Sequence, residues 1–295
     1  MTETFGILLA VGCALTTNLG FLYKHRGACA APSVDFRHPL RSGKALFASP
    51  LFAVGMLIAG GSWICHIGAM TMIPLSLVQA VLAGGVVLLA VMAERMLGLH
   101  VGSRQWVGLA MMAGGLVLLG VSLPTVHGAH SHFSVPVMIA FEAGLIAAGT
   151  LLIMGPRMGA PSHHHAVMMG GASGTLFGVS DIAIKALSGV IGSHGPLGIF
   201  SPWLLVALGP AVVAFFTSAR SLQDGDPIPV IAVTSTGATV SGIIGGIVVF
   251  GDPFPVHPLG IVVECLAFVL VVFAAWLIPA PTRAARIGRV APAAA

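Results

Sequence analysis

Residues 72–95 read MIPLSLVQAVLAGGVVLLAVMAER. From Met72 to Ala93 there is no charge, and the stretch closes on the pair Glu94-Arg95. A membrane-spanning helix needs about 20 mainly apolar residues. The segment therefore crosses a bilayer once, with its charged end at an interface. Comparable stretches recur at 4–23, 49–69, 105–123, 134–154, 166–190, 202–219, 228–250 and 258–280. The pattern predicts an all-α polytopic membrane bundle of about nine transmembrane helices, forming a single transmembrane domain over 1–295.

Composition agrees. Of 295 residues, 57% are hydrophobic and 7% are charged, against about 25% charged in a soluble domain. Such a chain cannot cover a globular surface with polar groups, so the lipid bilayer is its expected surrounding. The net charge of +4 would suggest nucleic acid in a soluble protein. Here it matches the excess of base that cytoplasmic loops carry, and no nucleic-acid partner is expected. Cys13, Cys29, Cys65 and Cys265 form no close pair, so neither a disulfide framework nor a cysteine zinc site is expected.

The bases also set an orientation. Lys24, Arg26, Arg37, Arg41 and Lys44 follow the first stretch, Arg95 and Arg104 flank the gap after the third, Arg157 follows the fifth and Arg220 the seventh. Arg283, Arg286 and Arg289 follow the ninth, and the alternate gaps hold no Lys or Arg. The positive-inside rule then places the N-terminus outside and the C-terminus, with a tail over 281–295, in the cytoplasm of a cell owning this inner (plasma) membrane. A cleavable signal peptide carries its bases before the apolar run. Here they come after it, so a retained first helix is expected. Residues 24–47 leave room for a re-entrant or interfacial helix.

A repeat is visible. Val91-Met92-Ala93-Glu94-Arg95 ends the third stretch and Val249-Phe250-Gly251-Asp252-Pro253 ends the eighth, each followed by a glycine-containing stretch. Stretches five apart run in opposite directions. The halves, about 1–125 and 132–280, are therefore inverted, as in secondary transporters. Glycine pairs such as Gly84-Gly85, Gly170-Gly171 and Gly245-Gly246 allow helix backbones to approach closely in lipid. Pro210, inside the seventh stretch, is expected to kink it.

These segments resemble the drug/metabolite transporter superfamily (the EamA-like type). The nine-helix layout is most similar to its NIPA-like magnesium transporter branch. The resemblance rests on Phe21-Leu22-Tyr23-Lys24-His25-Arg26-Gly27, Pro74-Leu75-Ser76-Leu77-Val78, Pro156-Arg157-Met158-Gly159 and Ile184-Lys185-Ala186-Leu187, in that order. It implies a transporter with its path between two inverted halves. One departure stands out. Members similar to the magnesium transporters carry an acid and an Asn in the second helix, where this chain has Trp63 and His66.

Ionisable groups at bilayer depth are costly and face a bundle interior or a cavity. The candidates for substrate binding and translocation are His66, Glu142, Asp181, Lys185 and Glu264, with Asn18 and Gln79 as neutral polar groups. Asp181 and Lys185 are four apart and share a helix face. They form either a self-neutralising pair, with Lys185 snorkelling, or a gate or substrate contact. Glu142, near mid-membrane, is expected to bind a proton or a cation alternately, and Glu142→Gln to abolish transport. Glu142, Asp181 and Glu264 are the candidate cation ligands. His127, His130 and His132, and His163, His164 and His165, form two loop clusters with donors suited to zinc, copper or nickel.

Gly171-Ala172-Ser173-Gly174 and His257-Pro258 echo the motifs of rhomboid intramembrane serine proteases. The topology separates Ser173 from His257, so this remains a remote alternative and no enzyme is expected. With no G-x-x-x-x-G-K-[ST] loop, no nucleotide or other cofactor is expected. The reading is a secondary transporter working by alternating access on a small solute or cation, with Mg²⁺ the first candidate. The alternative is export or import of small organic metabolites or drugs. A homodimer is the candidate assembly.

Overall fold

The computed structural model describes residues 2–97, 102–122, 133–252 and 257–277. Among them every regular element is helical: α1 (Thr2–Ala30), α2 (Pro39–Phe47), α3 (Pro50–Met72), α4 (Leu75–Leu97), α5 (Ser103–Ser122), α6 (Val135–Met154), α7 (His165–His194), α8 (Pro202–Asp224), α9 (Pro227–Phe250) and α10 (Pro258–Leu277). Short 3-10 turns lie at Gly155–Met158, Ser162–His164 and Pro196–Phe200. Among the described residues six helices (α1, α3, α6, α7, α8 and α9) are long and apolar enough to cross a membrane. The chain is an all-α polytopic membrane bundle. The clusters at His127, His130 and His132 and at Arg283, Arg286 and Arg289 lie outside the described residues.

Proline sets many of the boundaries. Pro39, Pro50, Pro202, Pro227 and Pro258 are first residues of their helices, where the missing N–H is one the helix leaves unpaired anyway. Gly251, at φ 68°, ends α9. The Asp252 N–H donates back to the Gly246 carbonyl at 2.9 Å, closing the helix with a left-handed residue that glycine adopts without penalty. Pro210 lies within α8, which runs as one element from Pro202 to Asp224.

The first helix differs in length from the sequence expectation, and a short helix falls in the segment left open for one. The first span, expected over 4–23, continues to Ala30, so Lys24 and Arg26 are helical residues rather than loop residues. A separate short helix, α2, follows, and it has a strongly amphipathic pattern.

Packing follows the small residues. α1 packs on α3 and α4, while α7 packs on α8 and α9; α4 meets α9, α5 meets α10, and α6 rests chiefly on α7. A Cβ at Gly55 of α3 would sit 2.7 Å from the Lys24 nitrogen and 2.9 Å from the Gly20 carbonyl of α1. The α1–α3 contact is thus backbone to backbone. Leu57, Ile64, Leu205 and Val262 point outward and exposed, as a lipid-facing surface requires.

The ends of α1 and α8 meet, defining a basic end of the bundle. There the Gln223 amide donates to the Ala28 and Pro32 carbonyls at 3.0 Å and accepts from the Val34 N–H at 2.9 Å. Arg220 donates to the Val34 carbonyl at 3.2 Å and pairs with Asp224 at 2.6 Å. These bonds strap residues 31–38 across α8. Asp35 accepts from the Arg37 N–H and stands 2.9 Å from the His38 ring nitrogen. The His38 hydrogen bond, then the Arg37 N–H, hold its carboxyl below the ordinary value. Beneath the strap, Phe215 stacks on Phe47 and meets Phe52 edge-on at 5.9 Å.

Removing the Gln223 fork deletes three hydrogen bonds, each contributing about 0.5–1.5 kcal/mol net. Gln223→Ala is expected to raise amide hydrogen exchange several-fold across 31–47 and leave α7 and α9 protected. Unchanged exchange there would show that Arg220 and the aromatic cluster hold the strap without the fork.

Candidate functional site

A cavity of about 410 Å³ lies between α1, α3, α4, α7, α8 and α9. Its walls are mostly apolar, with Phe21, Trp63, Leu82, Phe177 and Phe215 among them. Against that background a small set of polar groups stands out. Asp181 of α7, His66 of α3, and Gln79 of α4 meet at one point of the wall. The Gln79 amide donates to Asp181 Oδ2 at 2.9 Å. His66 Nε2 stands 3.3 Å from Asp181 Oδ1, an ion-pair distance without hydrogen-bond alignment. Asp181 is the only carboxylate on the wall among the described residues.

Each member is positioned by local packing. A Cβ at Gly242 of α9 would lie 2.9 Å from Gln79 Cδ, so the missing side chain makes the room in which Gln79 turns towards Asp181. Ser62 lies one helical turn from His66 on α3. Its hydroxyl donates to the Cys13 carbonyl at 3.0 Å, stands 3.2 Å from Cys13 Sγ and bonds Thr17. Asn18 donates to the Ala14 carbonyl at 2.9 Å and to the Gly85 carbonyl of α4 at 2.8 Å. It joins α1 to α4 while lining the cavity.

Of the seven residues singled out in the sequence, Asn18, His66, Gln79 and Asp181 line this cavity. The other three stand elsewhere. Lys185 is fully buried and donates to the Met70 carbonyl near the end of α3. It thereby satisfies a carbonyl that helix termination leaves open. No ion pair joins it to Asp181 among the described residues, so of the alternatives for these two residues the self-neutralising pair is not formed. Glu142 is buried on α6 with one carboxylate oxygen unpartnered, and Glu264 is buried on α10 with both oxygens unpartnered. Glu142, Asp181 and Glu264 do not converge. No group of three or more His, Cys, Asp or Glu placed to hold a metal occurs among the described residues. Ser173 donates to the Ala214 carbonyl at 3.0 Å, and His257 is exposed at the start of α10.

Sequence reasoning passed over Cys13, Thr17, Ser62 and Lys24, all on the cavity wall. Small hydroxyls and a thiol in apolar helices read as packing residues, and Lys24 read as a loop base. One signal was available: Cys13 and Thr17 are one turn apart, and both Trp63 and His66, the positions of the family departure, also line the cavity.

The arrangement offers one carboxylate, an imidazole, an amide and several hydroxyls around a space larger than any side chain. Weak, reversible binding of a hydrated or organic solute suits it; a tightly coordinated resident ion does not. No protein-family model matches the chain, and no solved structure matches it. Over 289 residues, covering 95% of this chain and 83% of the other, it is 22% identical to the "Probable magnesium transporter NIPA9" of Arabidopsis thaliana, a distant likeness along almost the whole length.

Proposed function

We propose that the chain is a secondary membrane transporter of the drug/metabolite type, with the central cavity as its solute path and a divalent cation such as Mg²⁺ as its first substrate candidate. The observation that carries this is Asp181: a single carboxylate on a cavity wall, shared by three helices through His66 and Gln79. The resemblance to a magnesium transporter along the chain supports the substrate. Size is compatible. Mg²⁺ keeps its waters readily, and six waters at about 30 Å³ each fill less than half of the cavity.

In this reading nine helices span an inner (plasma) membrane, with the basic end in the cytoplasm. The halves are α1, α3, α4 and α5 against α7, α8, α9 and α10, and α6 is the additional helix. Their matched packing supports rocking about the Asp181 level. A second reading, transport of a small organic solute, is favoured by the aromatic wall of Phe21, Trp63, Phe177 and Phe215.

Flux into proteoliposomes holding a trapped Mg²⁺ indicator tests the first reading, with a labelled organic panel run in parallel. Saturable Mg²⁺ entry above protein-free vesicles is expected. Organic flux without Mg²⁺ entry would select the second reading, and neither flux would overturn transport.

A further inference from the structure

Lys24 stands on the cavity wall, and its ammonium lies 4.0 Å from the centre of the Phe21 ring, one turn back along α1. A lysine near the end of a membrane helix ordinarily snorkels outward to water. This one turns back into the bundle instead. Its stem is pinned: a Cβ at Gly55 of α3 would meet Lys24 Cγ at 2.9 Å. Among the described residues no carboxylate or carbonyl accepts from it; the Phe21 ring face is the contact found.

The cavity's two opposite charges, Asp181 and Lys24, therefore stand apart rather than paired. Asp181 is already met by His66 and Gln79. Lys24 lies eleven residues beyond Cys13 on α1, about 16 Å along the helix. With its side chain turned back, its charge stands on the order of 10 Å from the Asp181 level. A ring face compensates an ammonium only in part, and Lys24 is half-buried, so part of its hydration is lost without an ionic partner. What would complete this end of the cavity is an anion.

We infer that Lys24 and the Phe21 face form an oxyanion subsite at the basic end of the cavity, taking a carboxylate or phosphate group that enters together with the cationic group facing Asp181. The inference rests on the cavity being the solute path, and it deepens that reading by naming a second half to the substrate. The anion is either a counter-ligand of the metal ion or part of one zwitterionic solute. Space allows both, since a hexahydrated ion leaves more than half of the cavity's 410 Å³ unfilled at about 30 Å³ per water.

Binding is tested on the full chain in detergent by equilibrium dialysis with labelled citrate, inorganic phosphate and glycine, each with and without Mg²⁺. The expected result is saturable binding of at least one of them, weakened about tenfold in Lys24→Gln and restored in Lys24→Arg. Both variants are first checked for monodispersity and thermal midpoint. Should either variant fold poorly, protection of the half-buried Lys24 from amine-directed modification by the same ligands in the wild type, read by peptide mass spectrometry, gives a second readout. Mg²⁺-dependent citrate or phosphate binding assigns the anion to a counter-ligand; Mg²⁺-independent glycine binding places both charges on one solute. Absence of saturable binding for all three, or equal binding by Lys24→Gln, would overturn the subsite. Intact, Lys24-dependent binding without flux would sink the transport reading and leave the subsite standing.

Discussion

Asp181→Asn is expected to cut solute flux by about tenfold to a hundredfold, because a hydrogen bond or contact to a charged group is worth about 1.5–3 kcal/mol and each 1.4 kcal/mol is a factor of ten. The substitution keeps the volume and leaves an amide oxygen for the Gln79 donor, so expression and thermal midpoint should be near those of the wild type. The charge facing the cavity is what disappears. Asp181→Glu, which keeps the charge on a longer stem, should lose less. Glu142→Gln supplies the comparison. Its carboxyl is buried on α6 and is absent from the cavity wall, so the loss of flux should be smaller than for Asp181→Asn. Wild-type flux in Asp181→Asn, measured in the same vesicles, would remove this residue from the path.

Gly174→Val is expected to be the most damaging single change to the fold. A Cβ at Gly174 of α7 would overlap the Thr234 backbone of α9. Backbone cannot rotate aside as a side-chain tip can, so the two helices must separate. Overpacking ordinarily costs about 1–3 kcal/mol, and loss of a close interhelical seam places this case at the upper end. The seam is also held by Thr234 Oγ1 donating to the Gly170 carbonyl at 3.0 Å, which separation would break. The thermal midpoint in detergent should fall by several degrees, or the variant should aggregate. Gly144 of α6 has nothing within 4 Å of a Cβ. Gly144→Ala should leave the midpoint unchanged or slightly raised, since glycine costs a helix about 0.5–1 kcal/mol relative to alanine. Equal midpoints for the two variants would show that the α7–α9 contact is not a seam of stability.

Much of the fold was legible because lipid imposes a simple rule. Every backbone polar group must be satisfied within the segment, so apolar length reads directly as helix. Proline and glycine then marked the ends: Pro50, Pro202, Pro227 and Pro258 open helices where the apolar stretches were expected to begin. The rule worked less well at the ends rich in charge. α1 runs on through Lys24 and Arg26 to Ala30, where its backbone packs on Gly55 of α3. Hydropathy cannot see that support.

The site divides in the same way. Depth along a helix grows linearly with residue number, so the sequence by itself determined which polar groups lie well inside apolar helices: Asn18, His66, Gln79, Glu142, Asp181, Lys185 and Glu264. Only tertiary structure decided which of them meet. Lys185 shares a helix face with Asp181 by spacing, yet its ammonium goes to the Met70 carbonyl while Asp181 turns to His66 and Gln79. The direction a face points, and the neighbour it finds, depend on how α3, α4 and α7 pack. That packing is set by glycine contacts between residues distant in sequence, such as Gly242 against Gln79. A one-dimensional pattern holds the depth of a charge; its partner is a property of the assembled bundle.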